Sequence, residues 1–290
     1  MSKEEEIYKI ICNEMEGLLN KMVDDFSKNY YKKENNWILS GFNNMIISNM
    51  VFVSSFESKY GNMFEEIIRK IAIINYGKEN VPDTIKGAGI TEEEYKRHIR
   101  RFKKNGQFII SKFDKNQNDR ILSQFRANHV AKGNGRRRIP STLVLDELPN
   151  LLKNDFTYSD KIIEQPVDLM FYDPYEKKYN LFEIKAGGDL DSSNGPKNVE
   201  KMLKIYSSLG RKDANLYFAT LYHKNGEGNT WTGIVKKHLG PDMILISKEF
   251  WQKVLLDISF EEFVEIYKKA FNDTGFNTRL SNLIEDTARK

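Results

Sequence analysis

Two apolar runs of this 290-residue chain, 165–173 and 179–186, flank the turn-like Pro174-Tyr175-Glu176-Lys177-Lys178 and predict an antiparallel hairpin. This pair constrains the fold most, because the two-residue side-chain period of a strand fixes which groups share a face. With the turn centred between Tyr175 and Glu176, paired positions sum to 351, which sets Asp168 opposite Glu183. Directly opposed side chains have Cβ atoms roughly 4.5–5.5 Å apart, and Lys185, two residues beyond Glu183, points to the same face. Two carboxylates and one ammonium therefore converge among apolar neighbours.

Opposed like charges repel, and charged groups among buried strand residues are costly unless paired or bound to a cation. A hard divalent cation such as Mg²⁺ takes carboxylate oxygens and keeps several of its waters, which suits two acids at the rim of a sheet. Such an ion lowers the pKa of a water and stabilises charge on a phosphoryl oxygen, while Lys185 positions or polarises the attacking water. The plainer alternative is a cross-strand ion triad on a solvated face, since Asp, a variable gap and Glu-x-Lys recur by chance. Strands that are apolar on both faces speak against a casual surface.

Around the hairpin the pattern is mixed. Ile7, Ile10, Ile11, Leu18, Met22 and Phe26 recur at helical spacing and predict one long amphipathic helix over 4–30. A second apolar stretch, 37–56, ends at Tyr60-Gly61, after which Phe64, Ile67, Ile68 and Ile71 resume helical spacing. Gly77, Pro82, Gly87 and Gly89 mark 76–89 as a linker. Strands are expected at 167–173, 179–186, 215–222 and 243–247. A helix at 196–209 carries Val199, Met202, Leu203 and Tyr206 inward, and closing helices follow at 250–256 and 260–271. The order predicts an α/β fold with a mixed central sheet flanked by helices, a helical N-terminal part and a basic insertion.

That insertion is where the charge sits. Residues 91–138 hold 14 Lys and Arg against five Asp and Glu, a net +9, so the rest of the chain carries −5 of the overall +4. On a helix over 92–104, Arg97, Arg100, Arg101 and Lys104 line the polar faces, and Lys132 with Arg136, Arg137 and Arg138 forms a basic Gly-rich loop. A one-signed stripe suits a polyanion, because neutralised phosphates release counterions and Arg can bind guanine edges bidentately. A merely solvated charged helix is the alternative.

Other features narrow the class. A single cysteine, Cys12, excludes an internal disulfide and multi-cysteine metal sites. No apolar run approaches a membrane span, and the Met-Ser-Lys-Glu-Glu-Glu start has the wrong charge for a secretory signal, so a cytoplasmic protein with no membrane partner is expected. His98, His129, His223 and His238 lack metal-ligand spacing, and nucleotide-binding glycine loops are missing from the sequence. Asp189 and Asp191 fall in a turn or helix cap, or touch a metal-held water. Lys197 and Lys201 on the 196–209 helix either reach a phosphate or line a solvated face, the second being the commoner arrangement.

Asp168, Glu183 and Lys185 in this context resemble the PD-(D/E)XK nuclease superfamily, and within it the type II restriction endonucleases, over roughly 61–247. The resemblance implies a restriction-endonuclease-like αβββαβ core with Asp at the end of one strand and Glu-x-Lys on the next. It also implies a metal-site Glu on the preceding helix, where Gly61-Asn62-Met63-Phe64-Glu65 supplies Glu65 or, one position on, Glu66. The chain departs from the pattern in reading Pro-Val-Asp, and in a gap of about 90 residues between Ile74 and the hairpin. The family implies one nuclease domain over 1–290: a helical part at 1–75, a DNA-contacting insertion at 76–160 and a catalytic sheet with C-terminal helices at 161–290. Its function would be Mg²⁺-dependent, sequence-specific hydrolysis of double-stranded DNA by a homodimer, with a DNA methyltransferase protecting the same sites. A structure-specific repair or recombination nuclease and a non-catalytic DNA-binding module are the competing expectations.

Overall fold

The structure, a computed structural model, describes residues 1–87, 108–110, 119–125, 163–188, 190, 194–209 and 214–289. In chain order its main elements are α1 (Lys3–Glu34), α2 (Asn44–Tyr76), β1 (Thr84–Gly87), β2 (Phe108–Ile110), β3 (Ile163–Pro166), β4 (Leu169–Asp173), β5 (Lys178–Lys185), α3 (Asn194–Leu209), β6 (Ala214–Thr220), β7 (Ile244–Ile246), α4 (Lys248–Leu255), α5 (Phe260–Asp273) and α6 (Phe276–Ala288). The chain divides into two compact units, Met1–Ile71 with Leu255–Lys290, and Ala72–Val254.

The first unit is helical. Ser2 caps α1 by accepting the Glu5 N–H, with Glu4, Glu5 and Glu6 in the first turn and Lys32 and Lys33 in the last, the polarity a helix dipole favours. Its buried stripe, Ile7, Ile11, Met15, Leu18, Met22 and Phe26, keeps spacings of three and four. Tyr8 donates to Asp273 at 2.7 Å and Arg279 to Glu16 at 2.6 Å, tying α1 to α5 and α6. The expected break at Gly61 is absent, and α2 runs unbroken for 33 residues. A mid-helix glycine costs about 1 kcal/mol. Rings at i, i+4 spacing, Phe52, Phe56, Tyr60 and Phe64, contact in succession at 4.8–5.0 Å and carry the helix across it.

The second unit holds two sheets. In the first, β1 runs parallel to β2 and antiparallel to β3. The 76–89 segment expected to be only a linker thus contains a strand. The second sheet has the order β4-β5-β6-β7, with β4 antiparallel to β5 and the rest parallel. Leu169 pairs with Phe182 and Asp173 with Lys178, which is the register read from the sequence. Asp173 fixes the turn through Oδ1, which accepts the N–H groups of Tyr175 at 2.8 Å and Glu176 at 3.1 Å, and Lys177 closes it at φ 55.

Alternation divides the two faces of this sheet. Phe171, Phe182 and Tyr217 lie on one face with Tyr76 and Phe250, with ring centroids 4.1–5.6 Å apart. Met170, Leu181, Leu216 and Phe218 lie on the other, packed in one core with Val199, Met202, Leu203 and Tyr206 of α3. By the same alternation Glu183 and Lys185 belong to the face that α3 covers.

Candidate active site

Asp168 occupies the bend immediately before β4. Its Oδ2 accepts the backbone N–H of Ile184 at 3.0 Å, so the carboxylate is held against β5 beside Glu183. The Glu183 side chain is 1% exposed, and its Oε1 accepts a 2.7 Å hydrogen bond from Lys185 Nζ. Asp168, Glu183 and Lys185 are brought together as the register requires.

A fourth charge completes the group. Lys201 Nζ, from α3, lies 2.9 Å from Asp168 Oδ1 and 2.6 Å from Glu183 Oε2. The expectation of a solvated face for Lys201 is corrected: its outer part reaches solvent, but its ammonium bridges both carboxylates. The sequence carried a usable signal, because Lys201 precedes the buried Ile205 by one helical turn and adjoins Met202 on the helix that covers the triad's face.

The electrostatics follow from burial. Loss of water and the nearby Asp168 charge raise the Glu183 pKa above its ordinary range, with the Lys185 and Lys201 ammonium groups opposing the rise. Burial disfavours the charged form of Lys201, yet its contacts with Glu183 and Asp168 outweigh that and raise its pKa. Glu183 Oε2 is buried and accepts no aligned hydrogen bond; the Lys201 contact there is an ion pair out of line with the oxygen. An under-satisfied carboxylate oxygen next to a second carboxylate suits a hard cation that takes oxygen ligands and retains water. No three His, Cys, Asp or Glu side chains form a metal-binding group among the described residues, so the donors brought together here are two carboxylates.

The surroundings limit access. Gln165, Lys197, Glu200, Lys201 and Lys204 line a shallow concavity of about 290 Å³ beside the charges. A larger cleft of about 710 Å³, lined by residues including His223, Trp231, Lys236 and Glu249, contains none of the four charged residues. Beyond β5 the chain turns through Gly187 and Gly188, where a Cβ would meet the Tyr222 ring at 2.6 Å and Trp231 at 2.7 Å. These two glycines let the strand end pass close to both rings.

Glu65 is half-buried and Glu66 exposed on α2; both belong to the first unit, whereas the triad belongs to the second. Arg97, Arg100, Arg101, Lys104, Lys132, Arg136, Arg137 and Arg138 lie outside the described residues, as do Asp189 and Asp191.

The model of the type II restriction endonuclease family HinfI matches residues 3–271. The chain belongs to this family. It is therefore a site-specific endodeoxyribonuclease whose substrate is DNA, and the α/β architecture with its mixed sheet is compatible with a restriction-endonuclease-like fold. Type II restriction endonucleases generally use a divalent metal ion, and the two carboxylates fit one. The match ends before α6. Comparison with curated proteins and with solved structures gives no match. Among the described residues no helix is long and apolar enough to cross a membrane.

Proposed function

We propose that this enzyme cuts duplex DNA at a specific sequence by Mg²⁺-dependent phosphodiester hydrolysis, with a PD-(D/E)XK core formed around β4, β5, α3 and β6. The observation that carries this reading is the convergence of Asp168, Glu183 and Lys185 on one rim of the sheet, in a chain whose family cleaves DNA. Asp168 and Glu183 hold the metal. When bound, the ion supplies a water of lowered pKa and stabilises charge on the phosphoryl oxygen. Lys185, held by Glu183 Oε1, orients the attacking water and stabilises negative charge developing on the phosphate. Asp168 is kept in place by the Ile184 N–H, so the donor set is oriented before substrate arrives.

The basic segment brings the duplex to this rim. Arg97, Arg100, Arg101, Lys104, Lys132, Arg136, Arg137 and Arg138 contact DNA, and their charge makes binding strongly salt-dependent. A homodimer in the cytoplasm cuts both strands, and a methyltransferase acting on the same sequence protects the host. Plasmid DNA incubated with Mg²⁺ tests the reading. Wild type gives discrete fragments, and Lys185→Ala, still folded, gives none. Cutting without sequence preference, or only at branched substrates, would overturn the restriction role.

A further inference from the structure

Lys201 is unexplained by the reaction proposed above. Its side chain is 40% exposed, yet its ammonium lies within 2.9 Å of Asp168 Oδ1 and 2.6 Å of Glu183 Oε2. Lys185 takes a different oxygen, Glu183 Oε1, at 2.7 Å. Asp168 Oδ2 is committed to the Ile184 N–H. The two oxygens left for a cation, one from each acid, are therefore the two that Lys201 touches. An Mg²⁺ ion needs carboxylate oxygens at about 2.0–2.1 Å, and it cannot share that gap with an ammonium already in contact with both.

Lys201 Nζ donates a 2.9 Å hydrogen bond to Asp168 Oδ1, but its contact with Glu183 is an ion pair alone. Glu183 Oε2 accepts no aligned hydrogen bond even with the ammonium beside it. Lys201 acts there as a point charge on a flexible stem, a role from which a lysine can withdraw without loss of a shaped bidentate contact. Withdrawal leads toward the concavity lined by Gln165, Lys197, Glu200 and Lys204.

We propose that Lys201 is a resident counter-cation that occupies the metal position between Asp168 and Glu183 in the metal-free protein, and that a divalent ion binds only by displacing it. This rests on the reading of Asp168 and Glu183 as metal ligands. Lys201 is then a positioning residue: it keeps the opposed carboxylates together without metal and sets how readily the metal enters.

Metal affinity, measured without DNA or turnover, tests this. Mn²⁺ binding to the full chain, followed by electron paramagnetic resonance or calorimetry, is compared in wild type, Lys201→Met and Lys201→Arg. Removing an ammonium paired with both carboxylates is expected to tighten Mn²⁺ binding at least about tenfold in Lys201→Met, while Lys201→Arg stays as weak as wild type. Equal affinity in wild type and Lys201→Met overturns the proposal. Adding Glu183→Gln to each background separates the two claims. If it removes binding while Lys201→Met leaves affinity unchanged, the metal site stands and the counter-cation role fails; if Mn²⁺ binding persists in its presence, the metal-site reading fails and the proposal with it. Wild-type protein gives a second measurement should Lys201→Met not fold. Acylation of Lys201, read by peptide mass, rises several-fold when Mg²⁺ is added; unchanged or reduced labelling overturns the proposal.

Discussion

The Ile184 N–H donates to Asp168 Oδ2 at 3.0 Å, so the acid that precedes β4 is fastened to the strand that carries Glu183 and Lys185. Asp168→Asn retains an oxygen able to accept this bond, whereas Asp168→Ala leaves the N–H without it. Both variants are expected to lose cleavage by about 10²-fold or more, as removal of a key electrostatic group does. Asp168→Ala should also be less stable than Asp168→Asn by about 1–3 kcal/mol, the cost of an unsatisfied buried donor. Urea unfolding of the two variants, alongside a plasmid assay, checks the separation.

Lys185→Ala removes a side chain that is 31% exposed, so the sheet should survive. Cleavage is expected to fall by about 10²–10³-fold, while DNA binding in a gel-shift assay stays within about threefold of wild type. A parallel loss of binding would mean that Lys185 holds the duplex and does not assist the chemistry.

Burial and the Asp168 charge raise the Glu183 pKa above the ordinary Glu value of 4.5. The folded state therefore holds this proton more tightly than the unfolded chain. The resulting stability is fully present below 4.5 and is lost as pH rises through the raised folded value. In metal-free protein, Glu183→Gln should flatten that decline and melt higher than wild type at neutral pH. Thermal melts across pH 4–8 in chelator check this, and a steeper decline in the variant would contradict it.

Phe182 meets Phe171, Tyr217 and Phe250 at centroid distances of 5.3–5.6 Å on the face opposite Glu183. Phe182→Ala is expected to cost about 3–5 kcal/mol through lost burial and the cavity left behind. Phe182→Leu should recover part of that loss. Chemical denaturation of both variants measures the difference.

The hairpin was legible because one turn and one alternating pattern fix both register and face, which placed Asp168 beside Glu183 from sequence alone. Lys201 was less legible. A lysine on an amphipathic helix is ordinarily solvated, and only the packing of α3 over the face bearing the acids turns its ammonium inward. The strand β1 was hidden among Gly and Pro residues, since Thr84-Ile85-Lys86-Gly87 offers one buried apolar side chain, Ile85, and its pairing with β3 comes from far along the chain. Helix α6 escaped because its apolar anchors are few, with Phe276 and Leu280 buried in an otherwise polar run. Gly61 suggested an end to α2 by local propensity, but the rings on either side override it.

The hairpin and the helix after it have a consequence for how this enzyme arises and changes. Asp168, Glu183, Lys185 and Lys201 lie within a single stretch of the chain, so little loop-closure entropy is spent in bringing them together. Such a stretch forms its chemistry from near neighbours and carries it as a cassette. Insertions or deletions in the sequence preceding Asp168 would leave these four charges together as one piece.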